Sequence, residues 1–346
     1  MNARESQIEA FLGTAGWREA SRHPLPGDAS ARRYIRLQRN GAQAMLMDAP
    51  PPRERVEPFH QIGSLLRKLD FSAPEFLAVD LEHGFLLLED FGDATFTQAL
   101  ATGSDEATLY RLATDTLIAL HRRWKNQPDE IGKTVIPAYS DRILLEEVGR
   151  FAEWYLPEVL GKDRPADWQQ EFLDLWRRLL PGARGVPDSL VLRDYHVDNL
   201  MVLPGREGTA ACGLLDFQDA VIGPLTYDLL SLTGDVRRDV PANLVREMTA
   251  RYLAAFPELP EDRFRESLAI LSAQRNIKII GNFTRLLRRD NKPIYLKYIP
   301  RTWRLIEEAL EHPALISLRR WMDEAIPANL RIVPGTKHGP GDGGTK

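Results

Sequence analysis

Apolar residues recur with two different spacings along this chain, and the change falls near residue 91. Before it, apart from two helical stretches, the apolar residues come in short runs typical of strands. Two such runs flank Arg39-Asn40-Gly41, a turn signal that favours a hairpin. The predicted elements are a helix over 5–17, a hairpin of strands over 34–37 and 44–47, a helix over 57–69 and a second hairpin over 76–79 and 84–88.

After residue 91 the helical spacing dominates, and Ser104 is the predicted N-cap of the first long helix. The predicted helices cover 104–124, 140–160, 167–180, 242–256, 262–288, 293–311 and 315–324. Two short apolar runs, 190–192 and 213–215, interrupt them. The pattern predicts an α+β protein of two lobes, with a small antiparallel sheet in an N-lobe over 1–91 and a larger, mainly helical C-lobe over 92–334. The stretch 335–346 is rich in Gly, Lys and Pro and is predicted to be a disordered tail.

Composition narrows the class of protein. The 346 residues include 45 Lys and Arg against 49 Asp and Glu, a net charge of −4, and 43% are hydrophobic. A folded protein with no nucleic-acid or anionic-lipid partner is therefore expected. The single cysteine, Cys212, excludes an internal disulfide and Cys-rich zinc sites, and we expect it to be buried on an apolar strand. No apolar run approaches the roughly 18 residues of a membrane span, so a cytoplasmic location is expected.

The densest polar stretch, over 192–202, follows the first of the two apolar runs. Asp194 and Asn199 in it reproduce the R-D-x-x-x-x-N pattern of a kinase catalytic loop, in which the aspartate accepts the proton of the acceptor hydroxyl and the asparagine binds Mg²⁺. Asp216 directly follows the second run, where kinases place a metal-binding aspartate. An amide and a carboxylate oxygen suit Mg²⁺, which keeps few protein carboxylates beside the nucleotide phosphates. The alternative for Asp194 is a helix cap or a turn.

The remaining polar residues near these motifs have weaker signals. His196 with Asp198 has poor zinc spacing and no third ligand, so we expect His196 to brace the loop. Asp198 fits a contact with substrate as well as one with the loop backbone. Asp219 is expected to close a turn, and Asp228 to lie at a helix start and support the catalytic loop.

Taken in order, these parts resemble the aminoglycoside phosphotransferase and choline kinase branch of the protein-kinase-like fold, over roughly residues 20 to 330. Within that branch the chain is most similar to the bacterial kinases that phosphorylate the anomeric hydroxyl of N-acetylmuramate and N-acetylglucosamine. The matching stretches are Gly27-Asp28-Ala29-Ser30 followed by Arg33-Tyr34, Met47-Asp48-Ala49-Pro50, residues 192–200, Asp216-Phe217-Gln218-Asp219-Ala220 and Gln274-Arg275-Asn276-Ile277-Lys278.

The resemblance implies ATP and Mg²⁺ as cofactors and an amino sugar as acceptor. It also implies a role in peptidoglycan recycling, upstream of a nucleotidyltransferase that uses the sugar 1-phosphate. The residues implied to contact the nucleotide are Gly27, Asp28, Ala29, Ser30 and Arg33 at the phosphates, and the backbone of Glu89, Asp90 and Phe91 at the adenine edge.

One departure from the general kinase pattern concerns the third strand. Met45-Leu46-Met47 occupies the place where a lysine is expected to hold the α- and β-phosphates. Arg32 and Arg33, beside the predicted phosphate loop, are the candidates to replace it, because a guanidinium binds phosphate through two parallel hydrogen bonds.

The predicted helix over 262–288 carries a polar face. Arg275, Lys278, Asn282 and Arg285 fall on one helical face by their spacing, and Asn276 is a further candidate for the substrate. These residues fit a wall of the acceptor pocket, which would meet the carboxylate or amide of the sugar, as well as they fit a solvated basic face. Gly281 is unfavourable in a helix interior, so we expect it to permit a close approach of another segment.

Two alternative functions remain open at this point. The acceptor could be an aminoglycoside, choline or a similar alcohol, although a cationic acceptor would require acidic pocket residues. The absence of a strand lysine would also suit a nucleotide-binding regulator without catalysis, but the set of Asp194, Asn199 and Asp216 argues against it.

Overall fold

The computed structural model describes residues 3–26, 31–125, 136–161 and 167–335. Its contacts define two compact units, the first formed by residues 1–137 and 192–221 and the second by 138–191 and 222–346. Residues 92–137 thus group with the sheet, and the predicted lobe boundary at residue 91 stays a prediction. The predicted phosphate-loop residues Gly27, Asp28, Ala29 and Ser30, and residues 336–346 of the predicted tail, lie outside the described residues.

The first unit is built on a five-stranded antiparallel sheet with strand order β1-β2-β3-β5-β4. The strands are β1 (Ser21–Pro24), β2 (Arg33–Arg39), β3 (Ala42–Asp48), β4 (Phe76–Asp80) and β5 (Phe85–Glu89), and the first two helices are α1 (Ala3–Thr14) and α2 (Glu57–Lys68). Both predicted hairpins are confirmed. Asn40 and Gly41 turn between β2 and β3 with φ of 49° and 81°, the left-handed backbone that this residue pair adopts readily. The sequence missed β1.

One face of this sheet packs on α1. Leu37 and Leu46 from the sheet meet Phe11 and Leu12 from the helix in a single apolar cluster. Because side chains alternate along a strand, residues 33, 35, 37 and 39 of β2 share this face, and Arg32, Tyr34 and Arg36 point to the other. The alternation decides which arginines can reach the site described below.

The rest of the first unit comprises α3 (Phe96–Ala101), α4 (Glu106–Lys125) and an antiparallel pair of strands. The pair is β7 (Leu200–Val202) with β8 (Cys212–Leu214), and Leu200 lies opposite Leu214. The N-cap of α4 is Asp105 and not the predicted Ser104, because the Asp105 carboxylate accepts the Thr108 N–H at 2.7 Å. An aspartate at this position also interacts favourably with the helix dipole.

The second unit is mainly helical and contains the pair of strands β6 and β9. Its elements are α5 (Asp141–Arg150), α6 (Leu156–Leu160), α7 (Trp168–Ala183), β6 (Asp188–Val191), β9 (Val221–Pro224), α8 (Thr226–Thr233), α9 (Ala242–Ala255), α10 (Glu261–Asp290), α11 (Ile299–Ala309) and α12 (Ile316–Ala325). The predicted N-cap Ser140 is confirmed, since its hydroxyl accepts the Ile143 N–H. The helix predicted over 140–160 is one helical stretch that changes to a π-helical turn at Phe151–Tyr155.

The long helix α10 packs closely against that π-helical turn. A Cβ atom at Gly281 would lie 2.5 Å from the backbone nitrogen of Phe151. The predicted close approach at Gly281 is therefore confirmed. None of the described helices is long and apolar enough to cross a membrane.

Candidate active site

The predicted catalytic loop leaves β6 through a tight turn in the first unit. Arg193 has a φ of 72°, and the Asp194 N–H donates to the Leu192 carbonyl at 2.9 Å. Left-handed backbone at a non-glycine residue is unfavourable and is often found at functional sites. The turn leaves Asp194 exposed, while the next residue, Tyr195, is buried with its hydroxyl donating to the Ala113 carbonyl at 2.8 Å. The loop is thus anchored on α4 beside its exposed carboxylate.

Asn199 directly precedes β7, and Asp216 lies two residues after the end of β8. Because the two strands are antiparallel, both residues lie at the same end of the pair. The Leu215 N–H donates to the Asn199 carbonyl at 3.0 Å, which joins the two segments directly. The Asn199 Nδ2 lies 2.9 Å from the Asp194 carbonyl oxygen and 3.4 Å from the Asp216 Oδ2. The structure therefore brings the three predicted residues together at one place in the first unit.

Two like charges meet there. Burial raises the pKa of the Asp216 carboxyl, and the nearby charge of Asp194 raises it further. The Gln218 amide, which donates to Asp216 Oδ1 at 2.8 Å, and the Arg32 guanidinium oppose that rise in pKa. A carboxylate pair of this kind is stabilised by a cation, because a positive charge favours both ionised forms.

The donor set fits Mg²⁺. Asn199 uses its Nδ2 for hydrogen bonds to neighbours, and within the described residues its Oδ1 accepts none. Its Oδ1 and the Asp216 carboxylate are hard oxygen donors, which Mg²⁺ prefers, with phosphates and water completing its shell. Across the described ranges no group of three His, Cys, Asp or Glu side chains could hold a metal, so a metal here would take its remaining ligands from water or from a bound molecule.

A cleft of about 520 Å³ opens beside this pair within the first unit. Its floor and walls are largely apolar, and Asn199 and Asp216 line one part of it. The apolar lining side chains include Met45, Phe59, Leu88, Phe91, Met201 and Leu215. A mostly apolar cleft with a few convergent polar groups is typical of a small-molecule site.

The predicted adenine-binding segment, Glu89, Asp90 and Phe91, lines the same cleft. The Glu89 N–H is already used, because it donates to the Glu75 carbonyl at 2.8 Å. By contrast, the backbone N–H and carbonyl groups of Asp90 and Phe91 make no hydrogen bond with another described residue. They are the backbone groups of this segment that remain available to a ligand.

Sequence reasoning missed two polar residues of the cleft, Tyr34 and Arg36. Both line it together with Arg32, on the face of β2 opposite the apolar cluster. The Arg36 guanidinium binds the carboxylates of Asp90 and Asp93, and burial raises the pKa of the Tyr34 hydroxyl to about 12. Side chains alternate between the two faces of a strand, so Tyr34 and Arg36 lie on the face opposite the apolar Ile35 and Leu37. This alternation could have identified both residues from the sequence.

Arg33, predicted at the phosphates, does not line this cleft. Its guanidinium binds the Asp48 carboxylate on the other face of β2, where Arg4 of α1 also donates to Asp48 at 2.6 Å. The role of Arg33 at a nucleotide stays a prediction, and so does that of Arg32, the other candidate, which does line the cleft.

The four residues expected around the catalytic loop lie in different settings. His196 is buried and within 3.4 Å of the Asn199 Nδ2, consistent with bracing the loop. Asp198 accepts a hydrogen bond from the Thr97 hydroxyl, a contact that sequence reasoning did not include. Asp219 is exposed beside Gln218, and Asp228 is fully buried in the first turn of α8 in the second unit.

The residues proposed for an acceptor wall lie on α10 of the second unit, and most are buried. The Lys278 Nζ lies 3.4 Å from the Glu147 carboxylate and donates to the Tyr227 hydroxyl at 2.9 Å. Arg275 is also buried. The solvated basic face considered from the sequence is therefore wrong for Arg275 and Lys278, because the helix packs this side inward.

Asn276 and Asn282 also have protein partners. Asn276 is buried, and its Nδ2 donates to the Ser272 carbonyl at 2.9 Å, one turn back along α10. Asn282 accepts a hydrogen bond from Arg150 at 3.2 Å. Contact of any of the four α10 residues with an acceptor stays a prediction.

Comparison with known proteins places this geometry in a family. A model of the phosphotransferase enzyme family matches residues 21–264. The chain is 38% identical over 340 residues to the N-acetylmuramate/N-acetylglucosamine kinase of Pseudomonas aeruginosa, which covers 92% of this chain and 95% of that protein. It is 34% identical over 359 residues to the protein of the same name from Caulobacter vibrioides, with coverage of 95% and 98%.

Solved structures share the fold at low sequence identity. Choline kinase LicA from Streptococcus pneumoniae has a TM-score of 0.61 at 13% identity, over 90% of this chain and 100% of that one. The GDP complex of wild-type aminoglycoside 2'-phosphotransferase-IIIa has a TM-score of 0.59 at 13% identity, over 89% and 98%. The predicted α+β kinase-like fold is confirmed. Because the family model and the relatives both match most of its length, the chain belongs to the phosphotransferase enzyme family.

Proposed function

We propose that this protein is a kinase that transfers the γ-phosphoryl group of ATP to the anomeric hydroxyl of N-acetylmuramate and N-acetylglucosamine. The observation that carries the proposal is the convergence of Asp194, Asn199 and Asp216 beside a cleft of about 520 Å³. The relatives that match nearly the whole chain are named for kinases of these two sugars, which supports the choice of acceptor.

ATP is proposed to occupy the cleft with its adenine against the apolar walls. Met45 and Leu88 line the cleft beside the predicted adenine-binding segment, and the backbone groups of Asp90 and Phe91 can pair with the edge of the base. Adenine presents both a donor and an acceptor on that edge, so a backbone N–H and a carbonyl on neighbouring residues suit it.

Mg²⁺ is proposed to bind Asn199 Oδ1 and the Asp216 carboxylate. The cation would neutralise charge on the phosphates as the phosphoryl group leaves. The protein contributes to this by holding Asn199 through two hydrogen bonds of its Nδ2, so that the amide oxygen has one orientation. The raised pKa of Asp216 falls when a cation is bound, because the positive charge favours the carboxylate.

Asp194 is proposed to accept, or at least orient, the proton of the acceptor hydroxyl. It is exposed at the tip of an anchored turn, so an acceptor can reach its carboxylate without rearrangement of the loop. An anomeric hydroxyl is more acidic than the other hydroxyls of a sugar, which reduces what a general base must supply.

The acceptor contacts, the cellular location and the pathway belong to the same proposal. Asp198 lies in the catalytic loop and remains a candidate for the sugar, as do the four α10 residues. A cytoplasmic site of action, a role in peptidoglycan recycling and a nucleotidyltransferase that consumes the sugar 1-phosphate follow from the resemblance alone.

A parallel assay with three acceptors tests the function. Purified protein is incubated with ATP and Mg²⁺ and with N-acetylmuramate, N-acetylglucosamine or choline, and ADP release is followed. Phosphorus NMR then identifies the phosphorylated position. We expect ADP release with both sugars and a 1-phosphate product. Preference for choline, a product phosphorylated elsewhere on the sugar, or no ADP release above background would contradict the proposal.

A further inference from the structure

The strands β7 and β8 form a hairpin whose two ends carry different polar residues. At its open end, Asn199 precedes β7 and Asp216 follows β8, and these two are the candidate metal ligands. At its closed end the chain turns over residues 203–211, where the Leu203 N–H donates to the Ala211 carbonyl at 2.9 Å. The candidate metal ligands thus lie at one end of the hairpin, and the side chains of the turn decide what the other end contacts.

Arg206 lies in this turn and binds two other segments of the first unit. Its Nη2 donates to the Glu89 carboxylate, and its Nη1 donates to the Ser72 hydroxyl at 2.9 Å. The Ser72 hydroxyl in turn donates to the Ala210 carbonyl at 2.7 Å, back in the turn. The side chains of Arg206 and Glu89 are 33% and 28% exposed, so the ion pair is partly shielded from solvent. Both branches of the guanidinium hold the turn against the start of the predicted adenine-binding segment.

The Phe91 ring, in the same segment, packs on this hairpin. The guanidinium carbon of Arg206 lies 5.4 Å from the ring centroid, within the range of a cation–π contact. A Cβ atom at Gly213 of β8 would lie 3.0 Å from Cδ2 of the ring, so the ring occupies space that a side chain would take. These contacts restrict the orientation of the Phe91 backbone, whose N–H and carbonyl make no hydrogen bond with another described residue.

The next residue of the segment, Asp90, is held from a different strand. Arg36 of β2 donates through Nη2 to Asp90 Oδ1 at 3.0 Å and through Nη1 to the Asp93 carboxylate at 3.0 Å. The Asp90 carboxylate also accepts the Gly92 N–H at 2.9 Å. Arg36 therefore ties the segment to the sheet, whereas Arg206 ties it to the hairpin that carries the candidate metal ligands.

We propose that Arg206 is a positioning residue for the nucleotide base. By binding Glu89 and covering the Phe91 ring, it sets the backbone with which the base pairs, and it does not itself touch the nucleotide. The inference rests on the proposed binding of a nucleotide in this cleft. Hydrogen bonds weaken steeply as their distance and angle depart from the optimum, so a small shift of this backbone weakens binding of the base. One hairpin thereby fixes the place of the base relative to Asn199 and Asp216 at the phosphates.

Calorimetric titration of the full-length protein with adenosine, with ADP and Mg²⁺, and with ADP alone tests the inference. The variants are Arg206→Gln, Arg206→Lys and Glu89→Gln. The matched control is Arg22→Gln, because Arg22 is 29% exposed and its Nη2 lies 2.8 Å from the Glu9 carboxylate in the same unit, and neither residue lines the cleft. Thermal melting of each variant without ligand establishes that it is folded.

We expect Arg206→Gln to weaken the binding of adenosine and of ADP by the same factor, about 3- to 10-fold, the value of one hydrogen bond to the base. The gain in ADP affinity that Mg²⁺ provides should stay as in the native protein, because the open end of the hairpin is unchanged. A structural defect of the whole cleft would lower that gain as well.

The other variants separate the contacts of Arg206. Arg206→Lys should recover part of the loss, since an ammonium keeps the charge beside Glu89 but lacks the planar fork that also reaches Ser72. Glu89→Gln should give a smaller loss of the same kind, and Arg22→Gln should bind every ligand as the native protein does. If Arg206→Gln does not fold, Arg206→Lys and Glu89→Gln decide the question.

Unchanged adenosine affinity in folded Arg206→Gln would overturn the inference, as would a loss confined to ADP or a smaller gain from Mg²⁺. No recovery in Arg206→Lys would overturn the charge pairing with Glu89 as its basis. A native protein that binds ADP but not adenosine would contradict this inference alone. One that binds both but phosphorylates neither sugar would contradict the proposed function alone, because the titrations contain no sugar. A native protein that binds neither ligand would contradict both.

Discussion

At the scale of single residues, two left-handed backbone positions shape the candidate active site. Arg193 and Asp216 have φ of 72° and 56°, whereas Asn40 and Asn291, also left-handed, lie in a hairpin turn and at a helix C-cap. Such a conformation costs a non-glycine residue about 1–2 kcal/mol. Hydrogen bonds of the neighbouring residues stabilise this left-handed conformation after β6 and after β8. The unfavourable backbone thereby orients the carboxylates of Asp194 and Asp216.

Asp194→Asn tests the catalytic assignment. Loss of the proton acceptor should lower kcat by about 10²- to 10⁴-fold while ADP binding persists, because the amide keeps the shape but not the basicity of the carboxylate. Steady-state kinetics with N-acetylglucosamine and an ADP titration measure the two effects. The control Asp174→Asn removes an exposed carboxylate from α7 and should leave both quantities as they are. A fully active Asp194→Asn enzyme would end the assignment.

Cys212 provides a test of burial at the same scale. Burial raises the pKa of its thiol to about 12, with Thr116 and Tyr195 acting in the opposite direction. The thiolate is the reactive form, so at pH 8 the folded protein should not react with a thiol reagent such as dithionitrobenzoate. The same protein in guanidinium chloride should react fully. Fast labelling of the folded protein would show that β8 is open to solvent.

At the scale of elements, the contact of α10 with the π-helical turn is set by one missing side chain. A Cβ at Gly281 would lie 2.5 Å from the Phe151 nitrogen and 2.6 Å from the Arg150 carbonyl carbon, and backbone atoms cannot move aside as a side chain can. Next to this contact, Arg150 donates to Asn282 at 3.2 Å. The packing of α10 therefore requires glycine at position 281, although glycine has a low helix propensity.

A pair of glycine substitutions separates packing from propensity. Gly281→Ala should lower the free energy of unfolding by about 1–3 kcal/mol, because overpacking exceeds the gain of about 1 kcal/mol in helix propensity. Gly149→Ala in α5 has room, since its Cβ would lie 4.0 Å from Leu173, and should instead stabilise the protein by up to about 1 kcal/mol. Urea denaturation measures both. Shifts of the two variants in the same direction would contradict the packing argument.

At the scale of the whole molecule, the first unit is assembled from two separate stretches of chain. Residues 192–221 return to the unit formed by 1–137 and complete its backbone pairing. The Leu214 N–H donates to the Ser72 carbonyl at 2.8 Å, and Thr95 bridges to Met201. The candidate catalytic residues all lie in the returning stretch.

A fragment that ends at Pro137 should therefore fail to fold on its own. It would leave the partners of 192–221 unpaired and expose the apolar surface that β7 and β8 cover, which costs more than the sheet gains by itself. Thermal melting monitored by near-ultraviolet circular dichroism should show no cooperative transition for residues 1–137, in contrast to the full chain. A cooperative melt of the fragment would contradict the assembly described.

The elements that the sequence predicted correctly are those with strong local signals. Asn40-Gly41 between two apolar runs specifies its hairpin through backbone preference alone, and Ser140 caps α5 as its position indicates. The polar strand β1 was missed because Ser21-Arg22-His23-Pro24 has no apolar alternation, and only pairing with β2 makes it a strand. The cap of α4 shifted by one residue, from Ser104 to Asp105, because two neighbouring residues can both cap a helix.

What the sequence by itself determined about this protein was its family, and it also singled out three candidate site residues, since Asp194 and Asp216 each follow an apolar run and Asn199 lies five residues after Asp194. Only the tertiary structure decided that Arg32 and not Arg33 enters the cleft, and that Lys278 is bound to Glu147 and Tyr227 instead of facing solvent. Short-range spacing depends on neighbours along the chain. The face that a side chain presents and the charge it meets depend on other strands and helices, which lie 15 residues away for Arg33 and Asp48 and 51 residues away for Lys278 and Tyr227, so no local pattern records them.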